Sequence, residues 1–280
     1  MGSKIVTASV TPNGYADAAL PLSDEPLKDA YQFVMPHEES MTVNEFLNIL
    51  EASPKTGILQ NLLVDKYCKK CRSNYIILTN TIHCTKLLYC LSGPNYCDYG
   101  IPDNPDVYYV QKQNSNLTDE WNDILGDIEE ISWATEAFGK SPDAINFWMG
   151  DSRAVTSTHK DPYENMYAVL RGYKDIILYP PSDSSFMPYK QCKQSKFQRC
   201  DVSKNDSEIH IGADPATTSK FSIVDVDEKA IPWIVIDPLK PNLSKHPRFS
   251  KSSPFHLRLN AGDLLYLPSL WFHHLRQSHG

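Results

Sequence analysis

From Ala144 the chain alternates short runs of β-forming residues with turn-formers. Ile145-Asn-Phe-Trp-Met149 is rich in aromatic and branched side chains, and Gly150-Asp151 can turn the chain. Ala154-Val-Thr-Ser-Thr158 leads into His159, and Glu164 to Leu170 follows. Arg171-Gly172-Tyr173 reads as a hairpin turn before a returning strand from Lys174 to Tyr179, which stops at Pro180-Pro181. A last strand-like run, Leu264 to His274, closes the pattern. Near the N-terminus Thr42-Val-Asn-Glu45 is a capping box that opens a helix to Glu51. Residues Tyr189 to Ser219 are polar and low in periodicity, and are expected to form a long loop between two strands. The pattern predicts a mainly β domain.

Candidate chemistry lies inside these strands. His159 and Asp161 are spaced i, i+2, so on an extended segment both leave one face while Lys160 points away. With 9 histidines and 34 acidic residues in the chain, one such pair is expected by chance. His37-Glu38-Glu39 is such a pair, and it follows Pro36 where nothing orders a strand. Isolated, His159 and Asp161 would read as a turn histidine and a capping aspartate. With a histidine from a distant strand, His273 or its neighbour His274, they make the two-His, one-carboxylate set that holds Fe(II) on one side and leaves open positions. A strict period of two puts Thr156 on the face opposite His159. Lys174 would be a solvated strand lysine unless buried, where it would need an anion such as a dicarboxylate.

Several stretches in order resemble the JmjC hydroxylases, cupin-like Fe(II)/2-oxoglutarate oxygenases, and among them the small lysyl hydroxylases. They are Asn146-Phe-Trp-Met-Gly150, Ala154-Val-Thr-Ser-Thr-His159-Lys-Asp161, Tyr163-Glu-Asn165, Tyr179-Pro-Pro-Ser-Asp183 and Leu264-Leu-Tyr-Leu-Pro-Ser-Leu-Trp-Phe-His273-His274. Ser9 to Asp17, Tyr109 to Leu117 and Pro232 to Leu239 add to the likeness, which spans most of residues 5–57 and 107–280. The resemblance implies a double-stranded β-helix with flanking helices. It implies iron on His159, Asp161 and His273, and the distal carboxylate of 2-oxoglutarate on Lys174, assisted by Tyr109 and Thr156, with Asn165 lining the pocket. It further implies consumption of O2 and 2-oxoglutarate to succinate and CO2, with hydroxylation at C-3 of a lysine in a protein substrate, a DRG-type GTPase. A histone-tail demethylase or a peptidase fits less well, since no reader domain and no nucleophile constellation accompany the core. The bulky aromatics Trp148, Trp233, Trp271 and Phe272 are expected to be core.

A net charge of −7 and a pI near 5.7 argue against a nucleic-acid binder that neutralises phosphates. Such a surface suits a basic protein partner. The most apolar run, Tyr75 to Leu91, carries His83 and Lys86 and is not expected to span a membrane. Seven cysteines, an odd number, suit a reducing compartment, so a cytoplasmic protein with nuclear access is expected.

Three segments follow: a flank over residues 1–58, an irregular Cys-rich insert over 59–106, and the core over 107–280. The insert matches nothing in the resemblance, and reads as a surface insertion or, preferably, as a gene-model artefact such as a retained intron. Cys68-Lys-Lys-Cys71 has zinc-ligand spacing, with Cys84, Cys90 and Cys97 as further candidates, but lacks the second half of a finger. The resemblance also implies an N-terminal part ahead of Met1 and a final strand beyond Gly280 with an Asn for 2-oxoglutarate. Without that strand a neighbour would stay unpaired, the homodimer of the family would be in doubt, and the chain would act as an inactive or scaffold fragment.

Overall fold

The computed structural model describes residues 4–12, 14–15, 18–21, 31–52, 86–92, 106–128, 130–150, 152–200 and 221–278. The chain opens with strands β1 (Ile5–Thr11), β2 (Ala18–Pro21), β3 (Tyr31–Met35) and β4 (His37–Thr42), then helix α1 (Val43–Ala52). Strands β5 (Lys86–Ser92) and β6 (Val107–Val110) precede the short helices α2 (Asn116–Asp119) and α3 (Ser132–Phe138). The expected strand run follows as β7 (Ala144–Gly150), β8 (Val155–Lys160), β9 (Asn165–Arg171) and β10 (Tyr173–Tyr179). The paired β11 (Tyr189–Arg199) and β12 (Phe221–Ile234) come next, then β13 (Phe255–Asn260), β14 (Leu264–Leu267) and β15 (Phe272–Ser278).

Three sheets result. Seven strands run in the order β14-β9-β5-β7-β6-β1-β4, and the two smaller sheets run β13-β10-β15-β8 and β12-β11-β3-β2. One apolar cluster, with Val169 and Leu267 from the large sheet and Ile176, Leu178 and Leu275 from the second, fills the space between these two sheets. A second cluster packs α1 and α2 under the large sheet through Phe46, Leu117, Trp121 and Phe147. The capping box forms as expected: the Glu45 carboxylate accepts from the Thr42 N–H at 2.7 Å, and Thr42 Oγ1 accepts from the Glu45 N–H at 3.1 Å.

Several expectations are corrected. β9 and β10 are not a hairpin: β9 pairs with β14 and β5, whereas β10 pairs with β13 and β15. The chain crosses between sheets at Gly172, whose φ of 71° lies in the left-handed region that residues with a Cβ avoid. Tyr189 to Arg199 is a strand rather than part of a loop. Its few inward residues, Cys192, Ser195 and Phe197, are buried while most others face solvent, so hydrophobicity underestimated a two-sided polar strand held by its ladder with β12. Residues 201–220 lie outside the described residues. His37-Glu38-Glu39 does sit on a strand, β4, because β1 pairs along its length.

The segment expected to be irregular contains β5, which lies between β7 and β9 and runs parallel to both. Strands from all three expected segments therefore share the large sheet. The zinc-ligand candidates Cys68, Cys71, Cys84 and Cys97 lie outside the described residues, as do the side chain of Cys90 and whatever would flank the chain. No helix among the described residues is long and apolar enough to cross a membrane.

Candidate metal centre and adjoining pocket

β8 and β15 lie side by side, with His159 opposite His273. The register then slips: Leu275 pairs with Thr156, so Ser157 and Thr158 together face the single residue His274. This β-bulge cancels the period-of-two objection to Thr156. Cross-strand partners share a face, and His273 and Leu275 are two apart on β15, so Thr156 lies on the same side as His159. On the other flank of β15, Leu178, Ile176 and Lys174 of β10 pair with His273, Leu275 and Gln277. One inward face therefore carries His159, Thr156, His273, Gln277 and Lys174.

His159, Asp161 and His273 offer one ligand atom each, all within 4.8 Å of one another, and no other such cluster occurs among the described residues. His273 Nε2 is 3.8 Å from Asp161 Oδ2, and the two imidazole centroids are 4.2 Å apart. Each ring is fixed through its other nitrogen. His159 Nδ1 is 2.8 Å from the Ser157 carbonyl, and His273 Nδ1 is 3.1 Å from the Trp271 carbonyl. A carbonyl only accepts, so both Nδ1 atoms carry the proton and both Nε2 lone pairs are left for a metal. Burial, joined by the neighbouring His159, pushes the His273 imidazole down to about 4, which keeps it neutral and able to ligate at neutral pH. Asn165 Nδ2 donates to Asp161 Oδ2 at 3.2 Å, and the Leu270 N–H holds the Asp161 backbone carbonyl at 2.8 Å. The donor set suits a divalent first-row metal with open positions on one side.

Lys174 lies deeper and is 1% exposed. Its ammonium donates to the Tyr109 hydroxyl at 3.1 Å and stands 5.4 to 5.7 Å from the ring centres of Tyr109, Trp148 and Tyr167. Tyr109 reaches it because β6 pairs with β7 at Gly150, where a Cβ would come within 2.5 Å of the Tyr109 ring and 3.0 Å of Gln277 Nε2. Trp148 Nε1 and Asn165 Oδ1 are buried without a hydrogen-bond partner, one an unmet donor and the other an unmet acceptor. A buried cation bonded to the Tyr109 hydroxyl, the unmet Trp148 N–H of a neighbouring ring and Thr156 on the shared face are thus gathered beside the metal ligands. These residues fit the carboxylate of a small co-substrate.

All seven residues singled out from sequence are on or beside this face. Asn165 is found against Asp161. His274 points to the opposite side of β15: it is 1% exposed, its Nδ1 is 3.5 Å from Thr158 Oγ1, and burial pushes it down to about 4. Three residues escaped sequence reading. Gln277 was findable by its period of two from His273. Trp148 was assigned to the core without regard to its N–H. Trp233 stacks on the His159 ring, 6.1 Å between centres and 8° between planes, and its Nε1 donates to Ser157 Oγ at 3.3 Å. Nothing local in the sequence announces that contact.

The family described as a cupin-like domain matches residues 1–280. The human bifunctional peptidase and (3S)-lysyl hydroxylase JMJD7 is 34% identical over 284 residues, covering 100% of this chain and 66% of that protein. JmjC domain-containing protein E of Dictyostelium discoideum is 32% identical over 279 residues, 97% of this chain and 64% of its own length. The lysine-specific demethylase JMJ32 of Arabidopsis thaliana is 37% identical over 183 residues, 62% of this chain and 49% of its own length. The chain thus spans just under two thirds, or less, of these relatives.

Proposed function

We propose that this chain, which belongs to the cupin-like JmjC family, is an Fe(II)- and 2-oxoglutarate-dependent hydroxylase of a lysine side chain in a protein substrate. The observation that carries the reading is the His159, Asp161 and His273 cluster on the same inward face as buried Lys174. The lysyl assignment rests on the activity that the human relative is named for.

In this reading His159 Nε2, Asp161 and His273 Nε2 hold iron, and Lys174 holds the distal carboxylate of 2-oxoglutarate. Bound together these groups supply oxygen activation: one atom of O2 enters succinate, CO2 leaves, and the other atom is inserted into a substrate C–H bond. The chain's own residues do the positioning. Tyr109 offers its hydroxyl beside the ammonium, Thr156 offers one on the same face, and the Trp148 N–H offers a further donor. Asn165 steadies the Asp161 carboxylate that would hold the metal. Trp233 backs the His159 ring and keeps water from that side.

Anaerobic titration of the protein with Fe(II) and 2-oxoglutarate tests the proposal, followed by the weak visible charge-transfer band of the chelate. A saturable band is expected, lost in His159→Ala and weakened in Lys174→Ala. In air, lysine-bearing protein substrates should then gain one oxygen in step with succinate. A folded sample without the band would overturn the enzyme reading in favour of a scaffold. The band with formaldehyde release from methyl-lysine and no hydroxylysine would move the activity to demethylation, as in the Arabidopsis relative's name.

A further inference from the structure

On the outer face of the β13-β10-β15-β8 sheet, back to back with the pocket, lies a cavity of about 350 Å3. Its walls come from three adjacent strands in register. Asp175 of β10 stands between Arg258 of β13 and Arg276 of β15, and Ile177 stands between His256 and His274. All six line the cavity, with Leu239 and Leu257 adding apolar surface. Two guanidinium groups thus flank one carboxylate. That carboxylate is already engaged, since Arg258 binds Asp175 in a two-point grip at 2.7 and 2.8 Å. Arg276 makes no ion pair among the described residues, and its side of the cavity is exposed to solvent.

The second observation is His274. It is 1% exposed and its Nε2 has no hydrogen-bond partner. If Thr158 Oγ1 donates to Nδ1, across 3.5 Å, then Nε2 carries the proton and is an unmet donor. Asp237, the other carboxylate near His274, is occupied by the Leu239 N–H at 2.8 Å and the Tyr15 hydroxyl at 3.4 Å. A cation with no ion pair among the described residues and a buried ring nitrogen without a hydrogen-bond partner therefore belong to one cavity with an apolar wall.

We propose that this cavity binds a small oxoanion, a carboxylate or a phosphate, carried on a short apolar fragment. The Arg276 guanidinium supplies the charge, His274 the buried donor, and Ile177, Leu239 and Leu257 the apolar contact.

Metal-free protein titrated with inorganic phosphate and, separately, with butyrate provides the test, with the imidazole NMR signals of all histidines as reporters. The expected result is a saturable shift of the His256 and His274 signals with one or both probes, the stronger probe identifying the oxoanion. His159 and His273 signals should not follow the same curve. Arg276→Ala should weaken binding by about tenfold or more, as for loss of a charge-assisted hydrogen bond, and Arg276→Lys should restore part of it. Arg276 is exposed, and an unchanged thermal midpoint verifies that each variant is folded. No saturable shift with either probe, equal affinity in Arg276→Ala, or shifts confined to His159 and His273 would each overturn the proposal.

Discussion

Lys174 is the residue where stability and function pull apart most clearly. A lysine 1% exposed among three aromatic rings is costly to desolvate, and hydrogen bonding to Tyr109 offsets only part of that cost. Methionine has similar length and no charge. Lys174→Met is therefore expected to leave the thermal midpoint of the cofactor-free protein unchanged or raised, while weakening 2-oxoglutarate binding about 10- to 100-fold through loss of a charge-assisted contact. Calorimetry on the same two samples reads both quantities, and a destabilised variant with normal co-substrate affinity would refute the assignment. At this scale the sequence was most legible. The shared face of His159 and Asp161 followed from spacing, and the distant histidine from a strand pattern. Thr156 resisted because its role depends on a bulge, and no residue type between 155 and 159 marks one.

Among the elements, β8 shows what a single extra residue does. Ser157 and Thr158 oppose His274 alone, and this bulge is what brings Thr156 to the inner face, so Thr156→Val should remove a hydroxyl from that face while leaving the ladder intact. Asp161 and His159 lie beyond the bulge and keep their pairing. The expected outcome is a split: Fe(II) affinity nearly retained, 2-oxoglutarate affinity reduced by about tenfold, both measured by anaerobic titration. Equal loss of both would mean that the Thr156 side chain serves the metal ligands instead. The junction between β1 and α2 offers a pH test. The partly buried Glu120 carboxylate accepts from the Thr7 N–H at 2.9 Å, Thr7 Oγ1 at 2.8 Å and Lys112 Nζ at 2.5 Å. Burial raises its pKa, but the hydrogen bonds from Lys112 and Thr7 outweigh it and hold the group below its ordinary 4.5. A depressed carboxylate contributes stability that is present above 4.5 and lost as pH falls through the folded value. The midpoint difference between wild type and Glu120→Gln should thus be largest near neutrality and vanish in acid; a constant difference would contradict it. The boundaries of β7 to β10 were legible because turn-formers bracket them. The crossing at Gly172 was not, since a hairpin turn and a sheet-to-sheet turn use the same residues, and β11 was hidden by its polar faces.

Across the whole molecule, the large sheet depends on a strand that sequence pattern did not announce. Lys86 to Ser92 lacks alternation and sits in a cysteine- and tyrosine-rich stretch outside every motif, so it read as part of an insertion. Yet among the described strands of this sheet β7 and β9 are joined through β5, which pairs with each along its length. β7 continues through β6 and β1 to the N-terminal flank, whereas β9 carries β14 and leads into β10 and Lys174. The two halves that face the pocket are therefore bridged by backbone hydrogen bonds from the segment between residues 59 and 106. This distinguishes an insertion from a structural part. Excising a surface loop should shift the thermal midpoint by only about 2 °C, because doubling a loop's length costs about 0.6 kcal/mol and each kcal/mol corresponds to about 2–4 °C in a domain of 150–250 residues. Excising residues 59–106 with a short Gly-Ser bridge removes two ladders and opens unpaired edges on β7 and β9. The midpoint is expected to fall by about 10 °C or more, with loss of a single cooperative transition, and Leu88→Pro should give a smaller fall in the same direction. An excised variant that melts like the full chain and still binds Fe(II) and 2-oxoglutarate would show that the two halves hold together without β5.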